Sequence, residues 1–219
     1  MRKKWIIALW AAALGTSVGA SDSGPVEISN GQVKAEVHLP DAKNGFYRGT
    51  RFDWSGVLSS LTFKGHEYYG QWFDAMDPAV RDFVYDGPRI IAGPCTAITG
   101  PAEEFQLPLG YAESKPGGTF VKIGVGLLRR PDDAAYSAFR LYELVDPGRW
   151  TVRAAADRVE FTQELSAPGS DYAYEYKKRV RLTPGKPQMV LEHSLRNTGR
   201  LPIRSNVYGH NFLYLDKQP

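Results

Sequence analysis

The fold is decided by the stretch YAYEYKKRVRL, which spans residues 172–182. Alternate side chains of a β-strand point to opposite faces of a sheet. One face of this stretch is therefore mainly aromatic and aliphatic, and the other is mainly charged. A period of two predicts a half-buried strand. The residues of the predicted inner face are Tyr172, Tyr174, Tyr176, Lys178, Val180 and Leu182.

The same alternation recurs in residues 33–39, 121–127, 150–154, 159–165 and 189–195. Clusters of Pro, Gly, Asp and Asn separate these segments, and such short connections suit antiparallel hairpins and meanders. Beyond the N-terminal segment, no stretch shows a sustained helical period. We therefore predict an all-β fold, built as a large antiparallel β-sandwich.

The N-terminus has the pattern of a secretory signal peptide. Met1 is followed by three basic residues, by an apolar run over residues 5–14 and by small residues that end at Ala20. The apolar run is shorter than the ~20 residues of a membrane span, although an uncleaved anchor is an alternative. We expect residues 1–20 to be a signal peptide and residues 21–219 to form a single β-sandwich domain. This domain is expected to be periplasmic or secreted, with no stable membrane span after cleavage.

The composition argues against several classes of protein. The chain has 27 Lys and Arg against 24 Asp and Glu, and three of the basic residues belong to the predicted signal peptide. The remaining domain is near neutral, which argues against nucleic acid as a partner. Cys95 is the single cysteine, so no intrachain disulfide can form. Because the sequence carries no nucleotide-binding or zinc-binding motif, we expect no cofactor and no metal. The oligomeric state stays open.

Four histidines are present, and imidazole is the side chain that titrates near neutral pH. His38 lies on the polar face of a predicted strand, so we expect it to be solvated. His66 lies in a predicted turn, where a structural or surface role is favoured. His193 alternates with apolar residues and is expected to be a hydrogen-bonded imidazole in the core. His210 is the strongest candidate for chemistry.

His210 lies in the most unusual segment of the chain, NVYGHNFLYL, which spans residues 206–215. A titratable imidazole among aromatic rings is suited to binding a sugar ring and to transferring a proton to or from it. A purely structural role for His210 fits the residues equally well. The residues that alternation places on one face are Tyr208, His210, Phe212 and Tyr214.

The irregular region 40–115 holds further candidates, because loops dense in aromatic and charged residues often form binding sites. Arg51 and Asp53 lie on one face of a predicted strand. They either form an ion pair or leave Arg51 to donate paired hydrogen bonds to sugar hydroxyls. Glu103 and Glu104 are suited to polarising hydroxyls or binding a cation. Because adjacent strand residues point in opposite directions, only one of these two glutamates can face a given pocket.

Two of these segments resemble a known family. Residues 197–215, which include Tyr208 and His210, and the earlier residues 49–61 are similar to the galactose mutarotase-like (aldose 1-epimerase) proteins. The resemblance extends over most of residues 30–216. It implies an antiparallel supersandwich whose concave sheet binds a hexose. It also implies a chemistry that opens and recloses the sugar ring at the anomeric carbon.

The resemblance implies roles for individual residues. His210 matches the family histidine that acts as general acid on the ring oxygen, while a general base takes the proton of the anomeric hydroxyl. We expect the remaining candidates to contact the sugar. These are Arg51, Glu104, Asn206, Tyr208 and Asn211.

The chain departs from the family pattern in three respects. Residues 100–105 contain no histidine where the family carries its first one. The family's catalytic glutamate lies well beyond the segment that matches His210, and family domains are longer. These departures predict a domain that is incomplete at its C-terminus and lacks the base.

Three hypotheses therefore stand together. The first is an aldose 1-epimerase-like enzyme that binds a hexose and interconverts its anomers. The second is a non-catalytic carbohydrate-binding β-sandwich on the same fold. The third is a structural sandwich that pairs with another chain through an open sheet edge.

Overall fold

The computed structural model describes residues 16–17 and 24–218. This part of the chain is all-β and contains no helix, and hence no helix that could cross a membrane. The predicted signal peptide lies outside the described residues, apart from the short strand Thr16–Ser17. Its cleavage and the export of the domain stay predictions.

The described residues form seventeen strands, most of them short. The longest is β15, which contains most of the alternating stretch 172–182. The strands are β1 (Thr16–Ser17), β2 (Val26–Ser29), β3 (Val33–His38), β4 (Val57–Phe63), β5 (His66–Tyr69), β6 (Ala75–Met76), β7 (Phe83–Asp86), β8 (Arg89–Ala92), β9 (Gly100–Phe105), β10 (Thr119–Lys122), β11 (Gly126–Arg129), β12 (Glu143–Asp146), β13 (Arg149–Ala155), β14 (Arg158–Ser166), β15 (Ala173–Leu182), β16 (Met189–Asn197) and β17 (Val207–Phe212).

The strands are arranged in five sheets. Their strand orders are β1–β13–β14–β15–β16, β2–β3–β4–β5, β10–β11–β12, β6–β8–β7 and β17–β9. Neighbouring strands run antiparallel, except for the parallel pair β6 and β8. The prediction of an all-β, antiparallel class is therefore confirmed.

The five-stranded and four-stranded sheets share one hydrophobic core, which makes the fold β-sandwich-like. Phe161 of β14 and Val180 of β15 are buried in the same cluster as Ala35 of β3 and Leu58 of β4. The alternation in β15 produces this core, because its inner residues are buried while the residues between them are partly or fully exposed. Each large apolar side chain buried in this way contributes about 1.5–3 kcal/mol to the stability of the fold.

The prediction of one strand over residues 121–127 is wrong, because the chain reverses there and β10 and β11 form a hairpin. Gly124 has a φ of +79°, a left-handed conformation that favours glycine. A Cβ atom at this position would lie 2.7 Å from Oδ1 of Asp53. The amide of Trp54 donates to the Gly124 carbonyl at 2.9 Å. The turn therefore holds the loop around Asp53 against the hairpin, and Lys122, which precedes the turn, is fully buried.

The prediction that His38 is solvated is also wrong, because the loop after β3 covers its ring. The imidazole stacks on Phe46, with ring centres 4.1 Å apart and ring planes at 16°. Its Nε2 atom is buried without a hydrogen-bond partner among the described residues. Burial lowers the pKa of His38 to about 4, although the nearby charge of Glu36 acts in the opposite direction.

The half-buried imidazole of His38 makes the stability of the fold depend on pH. In the unfolded chain this residue takes up a proton as the pH falls through 6.5, whereas in the folded chain it stays neutral down to about pH 4. The stabilisation is therefore complete above pH 6.5 and is lost as the pH falls from 6.5 to 4. Because solvent screens a half-buried ring, we expect a loss of about 2 kcal/mol. Urea unfolding of His38→Phe should show a correspondingly smaller loss than wild type over this interval.

His66→Gln is the control for this measurement, because His66 is exposed and forms a surface ion pair with Asp216. It should reproduce the wild-type loss of free energy between pH 6.5 and 4 to within the ~1 kcal/mol that an exposed ion pair contributes. An equal loss in wild type and in His38→Phe would contradict the assignment of this pH dependence to His38.

Candidate functional site

Strand β17 pairs with β9, and this pairing sorts the candidate residues onto two faces. Tyr208 lies directly opposite Glu104, and His210 follows two residues later on the same side. Opposite residues of an antiparallel pair project to one side of the sheet, so Glu104 shares a face with Tyr208 and His210. Glu103 projects to the other face. The two adjacent glutamates therefore project in opposite directions, as the alternation predicts.

The aromatic rings of β17 form a row along the first of these faces. Tyr208 and His210 stack with ring centres 6.2 Å apart, and Phe212 meets the His210 ring edge-on at 4.1 Å. The strand ends at Phe212. Tyr214 lies beyond it, where its amide donates to the Tyr68 carbonyl at 3.0 Å. The row therefore contains one ring fewer than the alternation predicts.

A pocket of about 500 Å³ opens against this row of rings. Its volume lies within the range of small-molecule sites, and most of its wall is aromatic. The wall combines segments that are far apart in the sequence. The lining residues include Arg51, Phe52, Trp72, Asp82, Phe83, Tyr85, Phe139, Tyr208, His210, Asn211 and Phe212.

Trp72 is the largest ring of the pocket wall and is held in place by three neighbours. Its indole Nε1 donates to the carbonyl of Ile98 at 2.8 Å. Its ring stacks on Phe212, with centres 5.6 Å apart and planes at 6°, and Phe83 meets it edge-on at 5.9 Å. The indole therefore presents a fixed apolar surface, of the kind that packs against the apolar face of a ring-shaped ligand.

Arg51 is the cation of the pocket wall, and protein contacts hold it from two directions. Its Nε donates to Oε2 of Glu104 at 2.9 Å. Its guanidinium carbon lies 4.6 Å from the centre of the Phe52 ring and 4.4 Å from that of Phe139, distances typical of cation–π contacts. Only 14% of the side chain is exposed. Of the two alternatives for Arg51, the ion pair with Asp53 is wrong, because Asp53 pairs elsewhere.

Glu104 lies behind Arg51, with 2% of its side chain exposed. Its second oxygen, Oε1, accepts a hydrogen bond from Nζ of the buried Lys122 at 3.0 Å. Burial lowers the pKa of Lys122, and the charge of Glu104 opposes this effect. We name these three residues the Arg51 cluster. Glu104 therefore fixes the position of Arg51 from the buried side of that residue. It does not line the pocket, so the predicted direct contact of Glu104 with a sugar is not found.

The two predicted asparagines lie in different places. Asn211 lines the pocket, and its Oδ1 accepts a hydrogen bond from the Tyr69 hydroxyl at 3.3 Å. Asn206 precedes β17, and its Nδ2 donates to Oε1 of Gln106. Asn206 is not among the residues that line the pocket, and four residues of extended chain, about 13 Å, separate it from His210. The predicted residues that the structure brings together are Arg51, Tyr208, His210 and Asn211.

A second cluster of charges lies on the opposite face of β9, and no sequence motif indicates it. Nζ of Lys178 lies 3.3 Å from Oδ2 of Asp53 and 2.7 Å from Oε2 of Glu103. The Tyr176 hydroxyl donates to Oδ2 of Asp53 at 2.8 Å and lies 3.0 Å from Nδ1 of His193. Nε2 of His193 lies 3.1 Å from Oε1 of Glu103. We name these five residues the Lys178 cluster.

The Lys178 cluster keeps Glu103 ionised. The Tyr176 hydroxyl donates to Asp53 and also lies within hydrogen-bond distance of Nδ1 of His193. Nε2 of His193 faces the carboxylate of Glu103, which can only accept. Burial acts to raise the pKa of Glu103, but the hydrogen bond from His193 and the charge of Lys178 hold this pKa at about 2. The ammonium of Lys178 thus lies between the carboxylates of Asp53 and Glu103.

The signal that could have revealed this cluster is a lysine on an aromatic and aliphatic face. Lys178 alternates with Tyr176 and Val180 and is 2% exposed, and a charge at such a position requires partners. His193 is hydrogen-bonded, as predicted. It does not lie in the core, because β16 is the last strand of its sheet and leaves a third of this side chain exposed.

Comparisons with known proteins add no assignment to this geometry. No protein-family model matches the chain, and no curated protein or solved structure matches it significantly. Within the described residues, no group of three or more His, Cys, Asp or Glu side chains is placed to hold a metal ion. The function therefore has to be argued from the pocket.

Removing the central lysine of the Lys178 cluster should strongly destabilise the fold. Lys178→Met leaves the carboxylates of Asp53 and Glu103 without the cation that lies between them. Loss of one partner from a buried ion pair costs about 3–5 kcal/mol. Chemical denaturation followed by tryptophan fluorescence measures this loss.

Lys177→Met is the matched control for this variant. Lys177 immediately precedes Lys178 in the same strand and is exposed. Its Nζ lies 3.1 Å from Oε1 of Glu175. Exposed ion pairs contribute less than about 1 kcal/mol, so the control should remain close to wild type. Similar losses in the two variants would contradict the central role of Lys178.

Proposed function

We propose that the chain is an aldose 1-epimerase-like protein of the galactose mutarotase-like type. In this proposal the pocket binds a hexose or related carbohydrate, and His210 takes part in opening and reclosing its ring. The β-sandwich-like core is then part of a supersandwich, and the protein is periplasmic or secreted. The observation that carries the proposal is the presence of His210 and Arg51 in one aromatic pocket.

The pocket offers both kinds of contact that a sugar requires. A pyranose has apolar faces and an edge of hydroxyl groups. The ring of Trp72, supported by its stack on Phe212, supplies a flat surface for a sugar face, and Arg51 supplies N–H donors for hydroxyls. Because protein contacts already hold Trp72 and Arg51, little side-chain freedom is lost when a ligand binds.

His210 has the surroundings of a proton donor. It is exposed at the pocket, between the rings of Tyr208 and Phe212. Imidazole exchanges protons near neutral pH, and ring opening needs a proton on the ring oxygen and a base for the anomeric hydroxyl. Among the described residues that line the pocket, Asp82 carries a carboxylate. We assign Asp82 the role of this base.

One observation favours a second function, carbohydrate binding without catalysis. Glu104 lies on the same face as His210, but two cations already hold its carboxylate. It is therefore unsuited to accepting a proton from a sugar. If Asp82 does not serve as the base either, the pocket would hold a sugar and leave its anomers unchanged.

Mutarotation measured by polarimetry separates the two functions. The first predicts that the protein accelerates interconversion of the anomers of glucose, galactose or a related hexose. His210→Ala and Asp82→Asn should each lower kcat/KM by about 10²–10⁴-fold, because each removes a proton-transfer group. Both variants should still show saturable, sugar-dependent quenching of tryptophan fluorescence. His66→Ala changes an exposed histidine outside the pocket and should match wild type.

The remaining outcomes are equally informative. Saturable quenching with an unchanged spontaneous rate across a panel of hexoses would establish the non-catalytic alternative. Quenching that persists in full in Trp72→Phe would place the sugar outside this pocket. Absence of saturable binding to any hexose would reject both functions.

A further inference from the structure

We infer that the carbohydrate held in this pocket is anionic, and that its carboxylate or phosphate ester binds Arg51. This inference rests on the proposed function, because it specifies the ligand of the same pocket. Two observations support the inference: the part of the Arg51 guanidinium that faces the pocket, and the excess of positive charge in the Arg51 cluster.

The contacts of Arg51 determine which part of its guanidinium meets a ligand. Phe52 and Phe139 lie 4.6 and 4.4 Å from the guanidinium carbon, and Glu104 takes the Nε edge at 2.9 Å. The terminal N–H groups are therefore what Arg51 offers to the pocket. Two parallel N–H donors match two oxygens of a carboxylate or a phosphate, and this bidentate pair is stronger than hydrogen bonds to neutral hydroxyls.

The Arg51 cluster carries an excess of positive charge. Glu104 is a single carboxylate between Arg51 and Lys122, with hydrogen bonds of 2.9 and 3.0 Å. Burial raises the pKa of Cys95 and that of Tyr136, so these neighbouring groups are neutral and supply no second anion. Uncompensated charge is costly in a buried setting, so an anionic ligand gains an interaction that a neutral sugar does not.

The mouth of the pocket does not cancel this excess. Asp82 lines the pocket and opposes an anion, but it is exposed, where water and salt screen its charge. Arg81, its neighbour in the chain, has its guanidinium carbon 5.5 Å from the centre of the Phe139 ring. That ring is also in contact with Arg51. The guanidinium of Arg81 therefore lies close to the pocket and offsets the exposed carboxylate of Asp82.

Isothermal titration of the full chain with matched sugars tests the inference. The panel contains glucose, galactose, glucuronate, galacturonate and glucose 6-phosphate, with inorganic phosphate as a probe that has no sugar ring. We expect an anionic sugar to bind about 10- to 100-fold more tightly than the neutral sugar with the same ring. Preference for the uronates or for the phosphate ester identifies the source of the anionic group.

Two variants separate the geometry of Arg51 from the charge of its cluster. Arg51→Gln leaves Glu104 and Lys122 as a balanced pair, so thermal unfolding should show a folded protein that has lost the anionic preference. Lys122→Met leaves Arg51 and Glu104 as a balanced pair, and it should weaken the preference although no group that lines the pocket is changed. Arg149→Gln removes an exposed cation outside the pocket and should retain the preference.

The outcomes distinguish failure of the inference from failure of the proposed function. Saturable binding of neutral and anionic sugars with equal affinity would overturn the inference and leave the proposed function intact. Inorganic phosphate that binds as tightly as glucose 6-phosphate would also overturn it, because the sugar ring would then contribute nothing. Absence of binding to every sugar in the panel would reject the proposed function itself.

Discussion

The arrangement of the elements around the pocket depends on one buried lysine. Lys178, in the longest strand, forms ion pairs with Asp53 in a loop and with Glu103 on β9. The same loop carries Arg51, and β9 is the strand on which β17 is paired. The loop that carries Arg51 and the strand pair that carries Tyr208 and His210 are therefore tied to one ammonium group. Apolar side chains would stabilise this junction with less desolvation, but they would constrain the positions of the loop and of β9 less strictly.

Strand β9 uses adjacent glutamates for two different purposes. Glu103 pairs with Lys178 and His193 in a cluster that does not line the pocket around His210. Glu104 belongs to a cluster with one more cation than carboxylate, and that cluster borders the pocket. We interpret the Lys178 cluster as structural and the Arg51 cluster as part of a binding site. The distinction follows from the direction in which each side chain leaves the strand.

The class of the fold and part of the site could be predicted from local sequence patterns. Alternation indicates β15 and also the shared face of Tyr208 and His210, because both depend only on neighbouring residues. The hairpin at Gly124 could not be predicted in this way, since a left-handed turn interrupts a pattern that otherwise continues through it. The partners of Lys178 lie far away in the sequence and become neighbours only through the pairing of sheets. Side-chain partners of this kind are a property of the whole fold.

The pairing of β9 with β17 joins segments about a hundred residues apart, and contacts of such high contact order close slowly. The stack of Trp72 on Phe212 depends on that pairing, so a partly folded chain has no pocket. A ligand then cannot act as a template for early folding intermediates. It binds only the native state, and by mass action it increases the proportion of molecules that stay folded.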